Sequence, residues 1–147
     1  MKLTYLIEIF MAFAINGFGQ VSTENMSNHE TIDTNKPCNP ENILLKVDKK
    51  PKYNGGIIGL ESDLYELIKP DIQIKGTIYL QFVVNCMGQL SGIKVFRGLN
   101  LETDSRMIEA LKNLQNWQPG YLQVPVDSLM NFVIKIRNGK IYITEIQ

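Results

Sequence analysis

Chemistry in this chain would have to come from very few side chains: two cysteines, Cys38 and Cys86, and one histidine, His29. A thiol beside an imidazole is a nucleophile with its base. Here no histidine lies near Cys86 along the chain, and only His29, in a polar run of the linker, could serve. In an oxidising compartment the two cysteines would close a loop of about 48 residues, worth on the order of 4 kcal/mol of chain entropy. The other reading is two unpaired thiols, and spacing alone leaves both open. Two cysteines without further ligands are too few for zinc, so no metal is expected. Asp63 with Glu66, and Glu102 with Asp104, read as solvated or capping carboxylates rather than an acid–base pair. Gly55-Gly56 lacks the lysine and spacing of a phosphate loop and reads as a tight turn. The expectation is binding without catalysis and without a cofactor.

The elements that would carry a binding surface come from the rest of the chain. Its 147 residues fit one domain, and fifteen Lys and Arg balance fifteen Asp and Glu. With no basic surplus, nucleic acid is not expected, nor is a charge-driven partner. MKLTYLIEIFMAFAINGFGQ has Lys2, an apolar stretch from Leu3 to Ile15 and small residues before Gln20. Residues 1–19 therefore read as a cleaved signal peptide, with a short membrane anchor as the alternative. The product would be periplasmic or secreted, or else inner-membrane anchored facing the periplasm. Residues 20–45 read as a flexible polar linker and 46–147 as the folded unit.

Within that unit, Leu60, Leu64, Leu67 and Ile68 repeat at helical spacing, predicting a helix from about Ile57 to Lys69 ended by Pro70. Glu61 and Asp63 lie near its start, where the helix dipole favours acids. Ile74 to Asn85 alternates, with Ile78, Leu80, Phe82 and Val84 on one face and Thr77, Tyr79 and Gln81 on the other. Asn85 to Gly88 turns the chain into a strand from Gln89 to Arg97. Leu90 and Ile93 keep one face there only if a bulge sits near Ser91-Gly92. A second helix follows Gly98, capped by Thr103 or Asp104, with Met107, Ile108, Leu111 and Leu114 on one side. One more turn would put Trp117 at the end of that face, clamping the helix onto a sheet, before Pro119-Gly120 stops it.

Asn138-Gly139 between Met130–Arg137 and Lys140–Ile146 is a two-residue hairpin signal. It sets Ile136 against Ile141, Ile134 against Ile143, Val133 against Thr144 and Arg137 against Lys140. The fold class is α+β: two helices packed on one face of a three- to four-stranded antiparallel sheet, in the order α-β-β-α-β-β. Tyr79 and Tyr142 on outward strand faces read equally as a binding surface or as good strand formers.

Five motifs in order resemble the TonB C-terminal domain family, in the form common in Bacteroidetes. They are Pro51, Tyr53 and Gly55-Gly56; Pro70; GTIYLQFVVNCMGQLSGIKVFRG; Asp104; and Trp117-Gln118-Pro119-Gly120. The match covers roughly residues 46 to 137. The resemblance implies a periplasmic module that takes an extended segment of an outer-membrane TonB-dependent receptor, or of another envelope protein, as an added strand. The chain differs from that family in its short apolar run and in a linker that spans at most about 75 Å. Strand addition itself needs only a sheet edge with unpaired backbone groups. The expected site is the last strand and its hairpin: Phe132, Ile134, Ile136, Arg137, Ile141, Tyr142 and Ile143. The outer arm, Lys140 to Ile146, is then either the new edge or a displaceable lid. The alternative function is a self-associating envelope module, a homodimer exchanging its C-terminal strand.

Overall fold

The computed structural model describes residues 35–146, so the readings on residues 1–34, including the signal peptide and His29, lie outside the described residues. In chain order the elements are β1 (Lys52–Tyr53), α1 (Gly56–Ile68), β2 (Gly76–Val84), β3 (Leu90–Arg97), α2 (Leu101–Asn113), β4 (Trp117–Gln118), β5 (Gly120–Leu122), β6 (Val124–Val126), β7 (Ser128–Arg137) and β8 (Lys140–Ile146). The class is α+β with antiparallel sheets. The order is longer than expected, because β1, β4, β5 and β6 are two- or three-residue strands too short to show periodicity.

The principal sheet has four strands in the order β3-β2-β7-β8, flanked by the ribbons β1-β4 and β5-β6. Ile78, Leu80, Phe82 and Val84 of β2 face inward, as do Phe132, Ile134 and Ile136 of β7 and Ile141 and Ile143 of β8. They share one core with Leu60, Leu64 and Ile68 of α1 and with Met107, Ala110 and Leu111 of α2. Leu67, expected in the core, is 49% exposed, since at i+3 from Leu64 it falls on the far edge of the apolar stripe.

The β7–β8 hairpin pairs Ile136 with Ile141, Ile134 with Ile143, Val133 with Thr144 and Arg137 with Lys140. Asn138 and Gly139 both have the positive φ that a type I′ turn requires, 52° and 67°. On the other side, the β2–β3 register slips between Gln81 and Val83, opposite Lys94 and Ser91. Gly92, at φ 58°, supplies the bulge that lets Leu90, Ile93 and Val95 all pack toward the core. A second slip, between Tyr79 and Leu80, leaves Phe96 as the extra residue, 66% exposed.

Helix α1 starts at Gly56, within one residue of expectation, but the acids near its start and the cap of α2 differ. The first turn of α1 carries no acid; Asp63 instead accepts a 2.5 Å hydrogen bond from the Tyr53 hydroxyl, tying β1 to the helix. Burial first, then this carboxylate, push the Tyr53 hydroxyl up to about 12. For α2 the cap is Asn100, whose side chain accepts from the Thr103 N–H at 2.9 Å. Asp104, one turn inside, reaches back to accept from Leu99 N–H.

Trp117 is not on α2. The helix ends at Asn113, and Trp117 pairs with Tyr53 in the β1–β4 ribbon beside Gln118, which precedes Pro119 and is biased to extended backbone. The indole is 6% exposed, edge-on to Tyr53 and Phe82 at 5.2 and 5.4 Å, with Phe132 at 6.2 Å. It clamps the ribbon, rather than the helix end, onto β2 and β7.

The polar stretch before the domain is tied down from Lys36 onward. Cys38 and Cys86 form a disulfide across 48 residues, with Cα atoms 6.0 Å apart. Lys36 C=O accepts from the buried Asn85 side chain, which also organises the β2–β3 turn by accepting from Met87 and Gln89 N–H. Leu44 lies parallel to Ser128, bonding to Asp127 and Leu129 where β8 has ended.

Candidate protein-binding edge

A strand offers a partner its backbone only at a sheet edge, so strand order decides which residues can bind by strand addition. β7 is interior: β2 pairs with it on one side, while β8 covers residues 131–137 and Leu44 covers its start on the other. This corrects the sequence reading for Phe132, Ile134 and Ile136. Their backbones are paired and their side chains are core. Ile141 and Ile143 also bury their side chains, so they offer a partner backbone only. Of the seven expected residues, Arg137 and Tyr142 present exposed side chains, both on the face away from the helices.

The two outer strands differ as templates. β3 is interrupted by two bulges, a feature that spoils an edge for pairing. β8 pairs with β7 over seven residues without a slip. Its buried side chains hold it down, which counts against a readily displaced lid.

One hydrogen bond fixes which groups of β8 point outward. The Ile143 N–H is donated to the Glu61 carboxylate of α1 at 2.7 Å, not to β7. In an antiparallel pair such outward positions alternate, so Ile141 and Glu145 also direct their backbone groups away from β7. Those groups have no backbone partner among the described residues. Beside them, Lys50 reaches from the loop before β1 to Glu145 at 2.7 Å. Glu61 and Lys50 thus guard the edge with side chains, which yield more readily than a paired strand. Glu61 was read as a helix-dipole residue, and nothing local in the sequence marks it as an edge guard.

The residues expected to be structural are placed as follows. Tyr53 and Trp117 brace each other at the ribbon, Gly55 and Gly56 take the positive φ of the turn into α1, and Pro119 leads into Gly120 at the start of β5. The Cys38 and Cys86 sulfurs lie within 4.8 Å of an Asp127 carboxylate oxygen, a spacing compatible with metal ligation. The sulfurs are bonded to each other, however, and the carboxylate accepts from Asn39 N–H at 2.6 Å and Cys86 N–H at 2.9 Å. The arrangement anchors a loop. No protein-family profile, curated protein or solved structure matches the chain.

Proposed function

We propose that this chain is a protein-binding module of the cell envelope, periplasmic or secreted, resembling the TonB C-terminal domain. It takes an extended segment of a partner by adding it as a strand to β8, and it acts by binding, without chemistry. The partner class implied by the resemblance is an outer-membrane TonB-dependent receptor or another envelope protein. The observation that carries this reading is the β8 edge. It runs seven residues in regular register, and its one outward N–H seen to be engaged, at Ile143, is held by a side chain rather than by another strand. The disulfide supports an oxidising compartment.

Selection of heptapeptides from a displayed library against the full chain, followed by affinity measurement on edge variants, tests it. Glu145→Pro removes an outward N–H while leaving the β7 pairing intact, because proline is tolerated where its nitrogen faces away from the ladder. Glu145→Gln removes only the charge on which Lys50 pairs. The proposal expects Glu145→Pro to abolish binding and Glu145→Gln to retain it. Equal binding by wild type and Glu145→Pro would refute it. Sedimentation that instead showed the free chain dimerising, with dissociation in Glu145→Pro, would assign the edge to a second copy.

A further inference from the structure

The net charge of zero conceals a segregation of charge between the two layers. The helices carry Glu61, Asp63, Glu66, Glu102, Asp104 and Glu109 against Arg106 and Lys112. The four strands of the principal sheet carry Lys94, Arg97, Lys135, Arg137 and Lys140 against Glu145 alone. Register places the cations on the face away from the helices. Lys94 is paired with Gln81, Arg97 with Tyr79, and Lys135 with both Thr77 and Tyr142, all outward positions. Arg137 and Lys140 continue the same alternation at the hairpin, whereas Glu145, opposite the buried Phe132, lies on the other face. The outward positions of these strands therefore hold five cations and no acid. All five are exposed, and none has an acidic partner among the described residues.

Large apolar side chains lie among these cations. Phe96 stands out at its bulge, and Tyr79, Tyr142 and Ile146 are exposed. A shallow groove of about 420 Å³ crosses the strands here, walled by Tyr79, Phe96, Arg97, Asn131 and Ile146. Its walls are mostly apolar and include Arg97; by register Lys94 lies one pair from Asn131 through Gln81, and Lys135 lies opposite Thr77, two residues along β2 from Tyr79. A polysaccharide or other hydroxyl-rich polymer would ask for more hydrogen-bonding groups than Arg97, the Tyr79 hydroxyl and Asn131 supply, the Asn131 Oδ1 already accepting from Gln81. An anionic amphiphile asks for what is present: cations for its headgroup and rings and aliphatic carbon for its apolar part.

We propose that the open face of the sheet, from the groove at Tyr79, Arg97 and Ile146 to the cations of the hairpin, binds anionic phospholipid and docks the domain on a membrane leaflet bearing such headgroups. This surface uses outward side chains of β8, Lys140, Tyr142 and Ile146, rather than the backbone groups of its edge, and its case stands whether or not a strand adds there.

The test uses the full chain, isotopically labelled, titrated with dihexanoyl phosphatidylglycerol below its micelle concentration and followed by nuclear magnetic resonance. Reading individual residues keeps effects at the apolar N-terminus apart from effects on the sheet. Saturable shifts at Tyr79, Phe96, Arg97 and Tyr142 are expected. They should be at least tenfold weaker with the zwitterionic dihexanoyl phosphatidylcholine and should weaken steeply with salt. The exposed triple variant K135Q/R137Q/K140Q, checked for an otherwise unchanged spectrum, should weaken binding at least tenfold. Phe96→Ser should weaken it with every charge in place. Equal response to both headgroups, shifts confined elsewhere, or no shifts would overturn the proposal. A response to glycerol phosphate as strong as to the lipid would reduce the face to a phosphate site. A response to polygalacturonate in place of the lipid would assign it to an acidic polymer.

Discussion

Glu61 and Ile143, 82 residues apart in the chain, meet through a 2.7 Å hydrogen bond from the strand's N–H to the helix carboxylate. The contact does two things at once. It docks α1 beside β8, and it occupies an outward donor on an edge that no further strand covers among the described residues. An incoming strand must displace it. Glu61→Ala should therefore raise affinity for an extended peptide at little cost to the fold, about 1 kcal/mol or less. Isothermal titration of wild type and Glu61→Ala with one selected peptide checks this, and weaker binding by the variant would contradict the guard role.

Trp117 braces the β1–β4 ribbon against Phe82 and Phe132, and its Nε1–H is buried without a hydrogen-bond partner among the described residues. Truncation to alanine should cost about 3 to 5 kcal/mol. Phenylalanine keeps much of the ring packing and removes the unsatisfied donor, so Trp117→Phe should cost well under half as much. Urea denaturation of both variants measures the gap.

Replacing both cysteines by serine should lower stability by up to about 4 kcal/mol if chain entropy dominates. The loss should also be local. Hydrogen exchange at Leu44, Lys49 and Tyr121, whose backbone bonds hold residues 44–49 in place, should accelerate more than at Ile134 in the sheet interior.

The Tyr53 hydroxyl is pushed up to about 12 by burial and by Asp63. The native state therefore holds this proton more tightly than the unfolded chain does. The resulting stability is fully present below about pH 10, the ordinary tyrosine value, and is lost as pH rises through about 12. Denaturation midpoints should fall across that window in wild type. The fall should be shallower in Tyr53→Phe, which has no hydroxyl to titrate.

At Gly88, φ is 76° and an added Cβ would stand 2.3 Å from the Trp117 carbonyl oxygen. Gly88→Ala should therefore destabilise by several kcal/mol, since strain and backbone clash combine at one position. Thermal unfolding compared with Met87→Ala, next door and exposed, isolates the effect.

Much of the scaffold could be read in the sequence wherever a local signal counts residues. Asn138-Gly139 sets the hairpin register by turn geometry, and the odd offset of Leu90 and Ile93 requires a bulge that Gly92 provides. Features decided by distant partners were not legible. Trp117 fits the helical spacing from Leu114, yet it pairs with Tyr53 across the fold, and a two-residue strand leaves no periodic trace. Asn100 outcompetes Thr103 and Asp104 as cap because the helix begins a turn earlier than its apolar stripe. For the edge, the sequence left Lys140–Ile146 open as a new edge or a lid and counted β7 residues in the site, for a similar reason. Alternation tells which face a side chain takes, but only strand order tells which backbone is free. The basic sheet face escaped as well, because alternation places Lys135, Arg137 and Lys140 but only the register of β3, with its two slips, puts Lys94 and Arg97 on the same face.

The central claim is that a partner chain adds to β8. The most direct measurement is the set of cross-strand nuclear Overhauser contacts between a selected heptapeptide and the labelled full chain. The account predicts contacts from peptide backbone protons to Ile141, Ile143 and Glu145, with the Ile143 amide shifting as Glu61 is displaced. Peptide contacts running along β3, or confined to the helices with β8 unperturbed, would contradict it.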